Sequence, residues 1–262
     1  MQKYYDNIKV HDISNELDCN YSMLYRKFKE WGIKRRYIKK KPIRSNAIYN
    51  IDYTYFNVIN TEHKAYWLGF LLADGYVNER EIMFCLQKND VNMIKLFLYD
   101  LKANYPIKYN KDNNPYVIIT CRDLSKTLLE KGFHHRKSWK FDLETLLPYI
   151  PIELERHFIR GMFDGDGCIK YYIYPYLNKP QYHFGYTGLE NICNYIKNKF
   201  GIDRKLVHEG NLTYTVVTRD PNKINEIYEY LYKDATIYMD RKYKIFKEIK
   251  MMTFNDYNKA IS

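Results

Sequence analysis

The apolar and polar positions of this chain follow a pattern that occurs twice, with an offset of 92 residues between the copies. The first copy begins with AYWLGFLLADG at 65–75, and the second begins with HFIRGMFDGDG at 157–167. Each stretch is long and apolar enough to form a buried helix, and each ends in Asp-Gly. Similarity at a fixed offset is typical of a repeated structural unit, so we treat the two copies as equivalent.

The same order of elements is predicted after both motifs. Alternating apolar positions predict strands, and a 3.6-residue period predicts amphipathic helices. The predicted strands are 81–86, 116–121, 169–176 and 212–218, the predicted helices are 91–101 and 190–200, and one more helix closes each copy. Each copy is therefore interpreted as αββαββα, which predicts an α+β fold with repeats at 46–150 and 151–262.

The pattern in residues 10–32 predicts two short helices joined by a tight turn. A helix over 10–17, a turn at 18–20 and a helix over 21–31 that Gly32 ends fit helix-turn-helix geometry. Asp18 stands at a turn position that often needs a positive φ, which Asp tolerates better than most residues. The predicted inner face is Ile13, Leu17, Cys19, Leu24 and Phe28, and the predicted groove-facing residues are Tyr21, Ser22, Tyr25, Arg26 and Lys29. A helical hairpin that binds nothing has the same pattern.

Positive charge is concentrated at this end of the chain. The net charge of the sequence is +11, and residues 1–50 hold 12 Lys and Arg against 5 Asp and Glu. A surplus of this size favours a polyanionic partner such as nucleic acid. A basic run is interpreted as a linker that follows phosphates, through Lys34, Arg35, Arg36, Lys39 and Lys40. Residues 1–45 are therefore predicted to be a DNA-binding domain with its linker.

Other features of the sequence argue against other classes of protein. No stretch approaches the roughly 20 apolar residues of a membrane-spanning helix, and the first residues lack the apolar segment of a signal peptide. The chain is therefore expected in the cytoplasm of a bacterial or phage-infected cell, associated with the nucleoid when bound to DNA. The five cysteines are widely spaced and form no C-x-x-C pair, so we interpret them as reduced core residues.

The motif helices each carry small residues on one face. Gly69 and Ala73 in the first copy, and Gly161 and Gly165 in the second, are four residues apart and so lie on one side of a helix. Two faces without large side chains can pack with their backbones unusually close together. The sequence therefore predicts that the two motif helices form an interface along these residues.

This interface would bring two carboxylates together. Asp74 and Asp166 follow the small residues directly, so they lie at the same end of the paired helices, where they repel each other and meet the negative ends of two helix dipoles. A bound cation explains this arrangement, and carboxylates at a site open to phosphate suit Mg²⁺. Gly75 and Gly167 are predicted to end the helices in a left-handed conformation.

These paired motifs resemble those of the LAGLIDADG homing endonucleases in their single-chain, two-motif form, over about residues 50–252. The stretch YFNVINTEHKAYWLGF at 55–70 is similar to members with an N-terminal helix-turn-helix, and residues 13–25 resemble the helix-turn-helix modules of DNA invertases and many phage proteins. The resemblance implies that the motif helices form a pseudo-two-fold interface in a monomer. It also implies that two antiparallel sheets form a saddle over double-stranded DNA.

The resemblance also assigns site residues. In the family the last acidic residue of each motif holds the metal, which corresponds here to Asp74 and Asp166 with Mg²⁺, or Mn²⁺ as a substitute. Gln87 resembles a polar position that orders water near the scissile phosphate. Lys137 and Lys242 best match the lysine that is expected near each late helix. These five residues form the predicted catalytic set.

Other candidates are less symmetric. Asp164 matches a further Asp of the family motif, but Leu72 stands at that position in the first copy, so Asp164 is left out of the catalytic set. Lys170, Tyr172 and Tyr174 alternate along a predicted strand and are candidates for contact with the DNA groove, although an exposed sheet face explains the same alternation.

By resemblance, the reaction is hydrolysis of one phosphodiester in each DNA strand, which leaves short 3′ overhangs within a long target site. Such a target suits a mobile element, such as a homing intron or a free-standing gene. Two alternatives stay open. A DNA-binding regulator on this scaffold would have lost cleavage, although both aspartates are retained here, whereas a maturase that binds intron RNA would keep the same motifs. The predicted helix-turn-helix favours DNA.

Overall fold

The computed structural model describes residues 13–14, 16–32, 49–134, 140–174, 176 and 180–261. The chain divides into two compact units, Met1–Ala47 and Ile48–Ser262. The predictions for residues 10–12, for Asn15 and for the basic run at 34–42 lie outside the described residues.

In the first unit, helix α1 (Tyr21–Glu30) follows a short helical turn and ends before Gly32, which has a φ of +67°. Asp18 has a φ of +47°, as its position in the turn requires. Of the predicted inner face, Ile13, Leu24 and Phe28 are each 6% exposed and Cys19 is half-buried, but Leu17 is 60% exposed. The prediction for Leu17 was wrong because the first helical turn ends at this residue, so its side chain leaves the inner face.

In the second unit, both copies have the predicted αββαββα order, with the following bounds. The first copy consists of helix α2 (Glu62–Asp74), strands β1 (Tyr76–Val77) and β2 (Glu81–Cys85), helix α3 (Val91–Asp100), strands β3 (Lys108–Tyr109) and β4 (Pro115–Thr120), and helix α4 (Arg122–Glu130). A short helix, α5 (Leu143–Leu146), precedes the second copy. The second copy consists of helix α6 (Glu155–Asp166), strands β5 (Gly167–Tyr172) and β6 (Gln181–Gly188), helix α7 (Glu190–Phe200), strands β7 (Val207–Gly210) and β8 (Thr213–Thr218), and helix α8 (Pro221–Tyr232). Helix α9 (Asp240–Ile261) follows the second copy.

Each copy forms one four-stranded antiparallel sheet, and the two sheets have equivalent strand orders, β1-β2-β4-β3 and β5-β6-β8-β7. Exposure alternates along the strands, so each sheet has one face in the core and one face towards solvent. The buried face of the first sheet packs beneath α2, where the rings of Trp67, Phe84 and Phe97 form edge-on contacts.

The glycines that follow the motif helices correct the predicted cap. Gly75 has a φ of −80° and Gly167 a φ of −77°, so neither residue is left-handed. Lack of space explains them instead. A Cβ atom on Gly75 would lie 2.5 Å from the main-chain oxygen of Leu71, and one on Gly167 would lie 2.2 Å from the ring of Phe163. Any side chain at either position would collide with the helix that has just ended.

The cysteines are all free, but they are not all core residues. Cys121 and Cys193 are buried, whereas Cys85 and Cys168 are exposed on the outer faces of their strands. The prediction was wrong for these two because strand alternation places them on the solvent side.

Among the described residues, no helix is long and apolar enough to cross a membrane.

Candidate metal and DNA-binding site

The motif helices α2 and α6 meet with their backbones in direct contact. A Cβ atom on Gly69 would lie 2.0 Å from the main-chain oxygen of Phe158, and one on Gly161 would lie 2.0 Å from that of Tyr66. The two contacts are equivalent, because Gly161 is the counterpart of Gly69 and Phe158 is the counterpart of Tyr66 at the 92-residue offset. Because protein interiors are close-packed, any larger residue at either glycine would force the helices apart.

One turn later the same interface brings the two motif ends together. A Cβ atom on Gly165 would lie 2.3 Å from the Cβ of Ala73 and 3.4 Å from Oδ2 of Asp74. The Asp74 carboxylate therefore lies against the backbone of α6, one residue before Asp166. Both aspartates are exposed to solvent, so the end of the helix pair is open to a ligand.

The two carboxylates also act on the same buried groups. Burial raises the pKa of the Tyr186 hydroxyl, and the charges of Asp166 and Asp74 raise it further. Burial lowers the pKa of Lys242 to about 8, against the opposing charges of Asp164, Asp74 and Asp166. Coulomb interactions weaken with distance, so carboxylates that both act on these two groups belong to one site.

Lys242 caps the end of the second motif helix. Its Nζ atom donates to the main-chain oxygens of Phe163 and Asp164, at 2.7 Å each, and of Gly165 at 3.1 Å. Carbonyls in the last turn of a helix have no partner within it, and a cation there also meets the negative end of the helix dipole. The side chain is nearly inaccessible, with the residue 3% exposed. Here Lys242 supports the backbone before Asp166 and does not present its ammonium group to solvent.

Asp164 is fully buried and bonded to protein donors. Its carboxylate accepts hydrogen bonds from the hydroxyls of Tyr66 and Tyr232, at 2.8 and 2.6 Å, and from the backbone N–H of Met239 at 2.8 Å. Burial raises the pKa of Asp164, and the charge of Lys242 opposes that shift. These contacts join α6 to α2 and to the segment before α9, so Asp164 holds the two repeats together.

A second polar cluster lies at the other end of the helix pair. The fully buried guanidinium of Arg160 donates to Oε1 of Glu62 at 2.6 Å and to the main-chain oxygens of Ile237 and Leu231, at 2.8 and 2.7 Å. Burial and the Arg160 charge lower the pKa of the neighbouring His157 to about 4. This cluster was not predicted from the sequence, although a charged residue inside an apolar motif is a signal for it.

Gln87 is exposed and stands directly before the short 3-10 turn Lys88–Asp90, with a φ of −62° and a ψ of 150°. Leu189, directly before α7, has nearly the same angles, −64° and 153°, and strand register identifies it as the counterpart of Gln87. Gly185, which lies near this place in the sequence, is inside β6 opposite Val217. Leu189 and Asp166 line one pocket of about 130 Å³. The two halves of the site therefore differ in polarity.

The candidate groove residues of the second sheet are exposed. Lys170 and Tyr172 lie on the outer face of β5, and the ammonium of Lys170 is 5.5 Å from the centre of the Tyr172 ring. Tyr174 follows the strand, which ends four residues earlier than predicted, and its ring stacks on Tyr172 with a centroid distance of 6.0 Å.

In the N-terminal unit, Arg26 and Lys29 are exposed on α1, as a groove-facing role requires. The other candidates lie outside the described residues or have side chains outside them, and they remain predictions: Tyr21, Ser22, Tyr25, Lys34, Arg35, Arg36, Lys39, Lys40 and Lys137.

The donor set at the motif ends fits magnesium better than a metal held by protein alone. Mg²⁺ binds through one or two carboxylates and completes its octahedron with water and phosphate oxygens. Asp74 and Asp166 offer hard oxygen ligands of this kind. Within the described part of the chain, no three His, Cys, Asp or Glu residues come together to hold a metal ion.

Comparison with known proteins identifies the fold. Neither the models of protein families nor the curated proteins include a match to this sequence. Solved structures do match: the LAGLIDADG meganuclease I-AabMI bound to uncleaved DNA is 12% identical, with a TM-score of 0.53 over 74% of this chain and 91% of that chain. The LAGLIDADG homing endonuclease I-LtrWI bound to target DNA is 13% identical, with a TM-score of 0.52 over 78% and 93%. The meganuclease I-SmaMI bound to uncleavable DNA is 12% identical, with a TM-score of 0.56 over 78% and 91%. This chain therefore has the two-repeat LAGLIDADG fold.

Proposed function

We propose that this protein is a homing endonuclease: a monomer that cleaves double-stranded DNA at a specific site with divalent metal ions. One observation carries the proposal. Asp74 and Asp166 stand exposed at adjoining ends of two helices that pack through glycine, where each carboxylate is disfavoured by the other and by a helix dipole. A cation bound between these carboxylates and a phosphate would offset both unfavourable effects.

The similar structures and the charge of the chain support DNA as the substrate. I-AabMI and I-LtrWI were both determined in complex with DNA, and their fold is the fold of this chain. The net charge of +11 favours association with the phosphate backbone. The N-terminal segment, where Arg26 and Lys29 are exposed, would add contacts outside the cleavage centre.

Each part of the site has a physical task in this proposal. Mg²⁺ held by Asp74 and Asp166 would supply Lewis acidity and an activated water for phosphodiester hydrolysis. The contact between Ala73 and Gly165 sets the separation of the two carboxylates. Lys242 fixes the last turn before Asp166, so that the carboxylate is held in place before substrate binds.

Asparagine substitution tests the proposal directly. Asp74→Asn and Asp166→Asn should each abolish double-strand cleavage, because the amide keeps the shape of the side chain but removes the anionic ligand that Mg²⁺ requires. Specific binding in Ca²⁺ should persist, since the basic surfaces are untouched. The stability of each variant without metal should rise by up to about 1 kcal/mol, because each substitution removes one unfavourable charge from the end of one helix. Plasmid-library cleavage in Mg²⁺, binding in Ca²⁺ and thermal unfolding in EDTA measure these three effects.

Asp234→Asn is the matched control, because Asp234 is exposed and lies two residues before Thr236, whose backbone N–H donates to Glu62 at the end of α2 opposite Asp74. It should cleave and bind like the parent protein. Full cleavage by either motif variant would place the metal site elsewhere. Specific DNA binding by the parent protein without cleavage would instead favour a regulator, and selective binding of intron RNA would favour a maturase.

A further inference from the structure

The β-hairpins that follow the two motif helices differ in length. Strands β1 and β2 are joined by two residue pairs, of which Val77 with Ile82 is the outermost. Strands β5 and β6 are joined by six pairs and continue to Tyr172 with Gln181. The two motifs end in equivalent positions, and three of the four additional pairs lie at the outer end of the second hairpin, away from the aspartates, whereas the fourth, Gly167 with Tyr186, directly follows Asp166.

The first hairpin is short because its sequence closes it early. The side-chain oxygen of Asn78 accepts hydrogen bonds from the backbone N–H groups of Arg80 and Glu81, at 2.8 and 3.0 Å, and the backbone N–H of Asn78 donates to the oxygen of Glu81 at 3.1 Å. An Asn turn of this kind reverses the chain at once. The second copy has no such residue at the equivalent place, where Lys170 continues the strand.

The extension of the second hairpin can be measured in base pairs. Ile169 is the counterpart of Val77, and three further residue pairs follow it. At about 3.4 Å per residue these pairs add about 10 Å of ribbon. The rise of B-DNA is about 3.4 Å per base pair, and its major groove admits a two-stranded β-ribbon. The extension therefore spans about three base pairs.

The outer face of this extension carries side chains suited to reading bases. Lys170 is paired with His183 and Tyr172 with Gln181, and directly opposed residues share one face of a sheet. Lys170, Tyr172 and Gln181 are exposed, and His183 is half-buried. Lysine and glutamine make the base contacts typical of guanine and adenine, and tyrosine offers an apolar ring edge to thymine methyl groups.

The surroundings of this face are cationic and aromatic. Burial and the charges of Lys170, Arg219 and Arg204 lower the pKa of His183, so positive charge converges on the extension. Beyond the strand, the ring of Tyr176 packs at a tilt against that of Tyr174, with a centroid distance of 5.5 Å. The outer face of the first hairpin holds Tyr76 opposite Met83, without a cation in its paired residues.

We propose that the two repeats read half-sites of unequal length, and that Lys170, Tyr172, Gln181 and His183 give the second repeat about three more base pairs of sequence recognition. This inference rests on the proposed function, because it takes duplex DNA as the ligand. Beyond that function, it assigns the longer set of sheet contacts to the target arm that the second repeat binds, and it names the residues that read the additional base pairs.

The test is selection of a randomised duplex library by the full chain in Ca²⁺, followed by sequencing of the bound fraction. The parent protein is compared with Lys170→Ala/Gln181→Ala, in which both changed residues are exposed and folding should be unaffected. We expect this variant to lose base preference at about three adjacent outer positions of one arm, by about 5- to 150-fold for each well-contacted base pair, and to keep the preferences near the centre.

Two controls make the result specific. Asn92→Ala/Lys95→Ala removes the same charge and an amide from exposed positions of α3, and it should keep every preference. Arg80→Ala alters the tip of the short hairpin. It should change no base preference on the other arm at the distance from the centre where Lys170→Ala/Gln181→Ala loses its preferences. The inference is overturned if Arg80→Ala and Lys170→Ala/Gln181→Ala lose preferences at equal distances from the centre, or if the latter variant loses none. Failure of the parent protein to enrich any sequence would overturn the proposed function and this inference with it.

Discussion

Ala73 and Gly165 meet so closely that a Cβ atom at position 165 would lie 2.3 Å from the Cβ of Ala73. The two positions are equivalent in the two copies, yet the interface has room for one methyl group and not for two. This explains why the copies differ here, with alanine in the first and glycine in the second. The same contact sets the distance between the carboxylates of Asp74 and Asp166.

The first prediction exchanges these two residues. Gly165→Ala alone should destabilise the protein by about 1 to 3 kcal/mol and reduce cleavage, because the second methyl group wedges the helix ends apart. Ala73→Gly combined with Gly165→Ala should restore both properties, since the methyl group moves to the other helix. The intrinsic helix preferences of alanine and glycine cancel in the double variant. Urea unfolding and plasmid cleavage measure the two properties.

Gly185→Ala is the control for a glycine replaced outside the interface. Its Cβ atom would meet Nε2 of the His183 side chain at 3.1 Å, which can move, so its stability should change little. A double variant as unstable as Gly165→Ala alone would show that the interface is not limited by a single methyl group.

The parts of the fold that could be predicted are those that depend on neighbours in the sequence. Helix α7 begins and ends where its period predicted, at Glu190 and Phe200, because its apolar positions and the following Gly201 are local signals. The motif helices were found because the same local signals occur twice.

The features that were mispredicted or missed depend on distant parts of the chain. Gly75 is required by the packing of its own helix end rather than by its φ, which the sequence alone does not show. Lys242 stays a predicted catalytic residue, but its contact with the carbonyls of α6, to which α9 carries it, was not predicted from the sequence. Arg160 is buried because Glu62 and two carbonyls from other elements surround it.

The second prediction concerns Lys242. Lys242→Met keeps the apolar stem but removes the ammonium donor from three main-chain oxygens, of which that of Phe163 keeps the backbone N–H of Gly167, and this loss should destabilise the protein by about 1 to 3 kcal/mol. This loss of stability should be smaller in an Asp166→Asn background, because the charge of Lys242 is then no longer attracted to the carboxylate of Asp166. A double-mutant cycle based on chemical unfolding in EDTA measures this coupling.

Lys131→Met provides the comparison, because Lys131 is also buried but its ammonium lies 3.9 Å from the centre of the Tyr149 ring, away from the motif ends. Its effect on stability should be the same with and without Asp166→Asn. Equal losses for Lys242→Met in both backgrounds would contradict an electrostatic link between Lys242 and the candidate metal site.

The third prediction is a pH dependence of stability that arises from His157. The folded chain holds this imidazole neutral, with a pKa lowered to about 4 by burial and by Arg160, whereas the unfolded chain protonates it near its usual value of about 6.5. The unfolded state therefore binds more protons between these two values, and stability falls as the pH drops through this window. His157→Gln, which keeps an acceptor for Arg160, should lose less stability than the parent protein between pH 6.5 and 4. Urea unfolding at several pH values measures the difference.

His63 supplies a contrast of opposite sign. Its hydrogen bond to Asp100 raises its pKa, so its contribution to stability is present below pH 6.5 and is lost as the pH rises through the folded pKa. His63→Gln should therefore lower stability by a constant amount below pH 6.5 and leave the loss between pH 6.5 and 4 as steep as in the parent protein, while the gain in stability as the pH falls towards 6.5 should disappear. The other groups around His157 are Arg160, Arg156 and Glu62, and the pKa of Glu62 is lowered, so it stays ionised over most of the window. An unchanged slope in His157→Gln would show that the histidine is not neutral in the folded state.

The fourth prediction follows from the difference between Gln87 and Leu189. These residues precede α3 and α7 with nearly the same backbone angles, but one offers an amide and the other an alkyl group. If water near one scissile phosphate is ordered by Gln87, the other phosphate lacks that help, because Leu189 lines the pocket beside Asp166. The two strands should then be cut at rates that differ by about 10- to 100-fold, the usual effect of small misplacements in an active site.

A supercoiled plasmid with one target site resolves this difference, because a nicked circle appears before the linear product when the strands are cut in sequence. The parent protein should accumulate the nicked form, Leu189→Gln should reduce it by speeding the slower cut, and Gln87→Leu should slow the faster cut. Leu212→Gln is the matched control, since Leu212 lines the same pocket and is 50% exposed but does not precede a helix. It should leave the ratio of nicked to linear DNA unchanged. Equal strand rates in the parent protein would contradict the prediction. The same shift from Leu212→Gln as from Leu189→Gln would mean that polarity anywhere in the pocket speeds the slower cut, so that the residue before α7 does not set its rate.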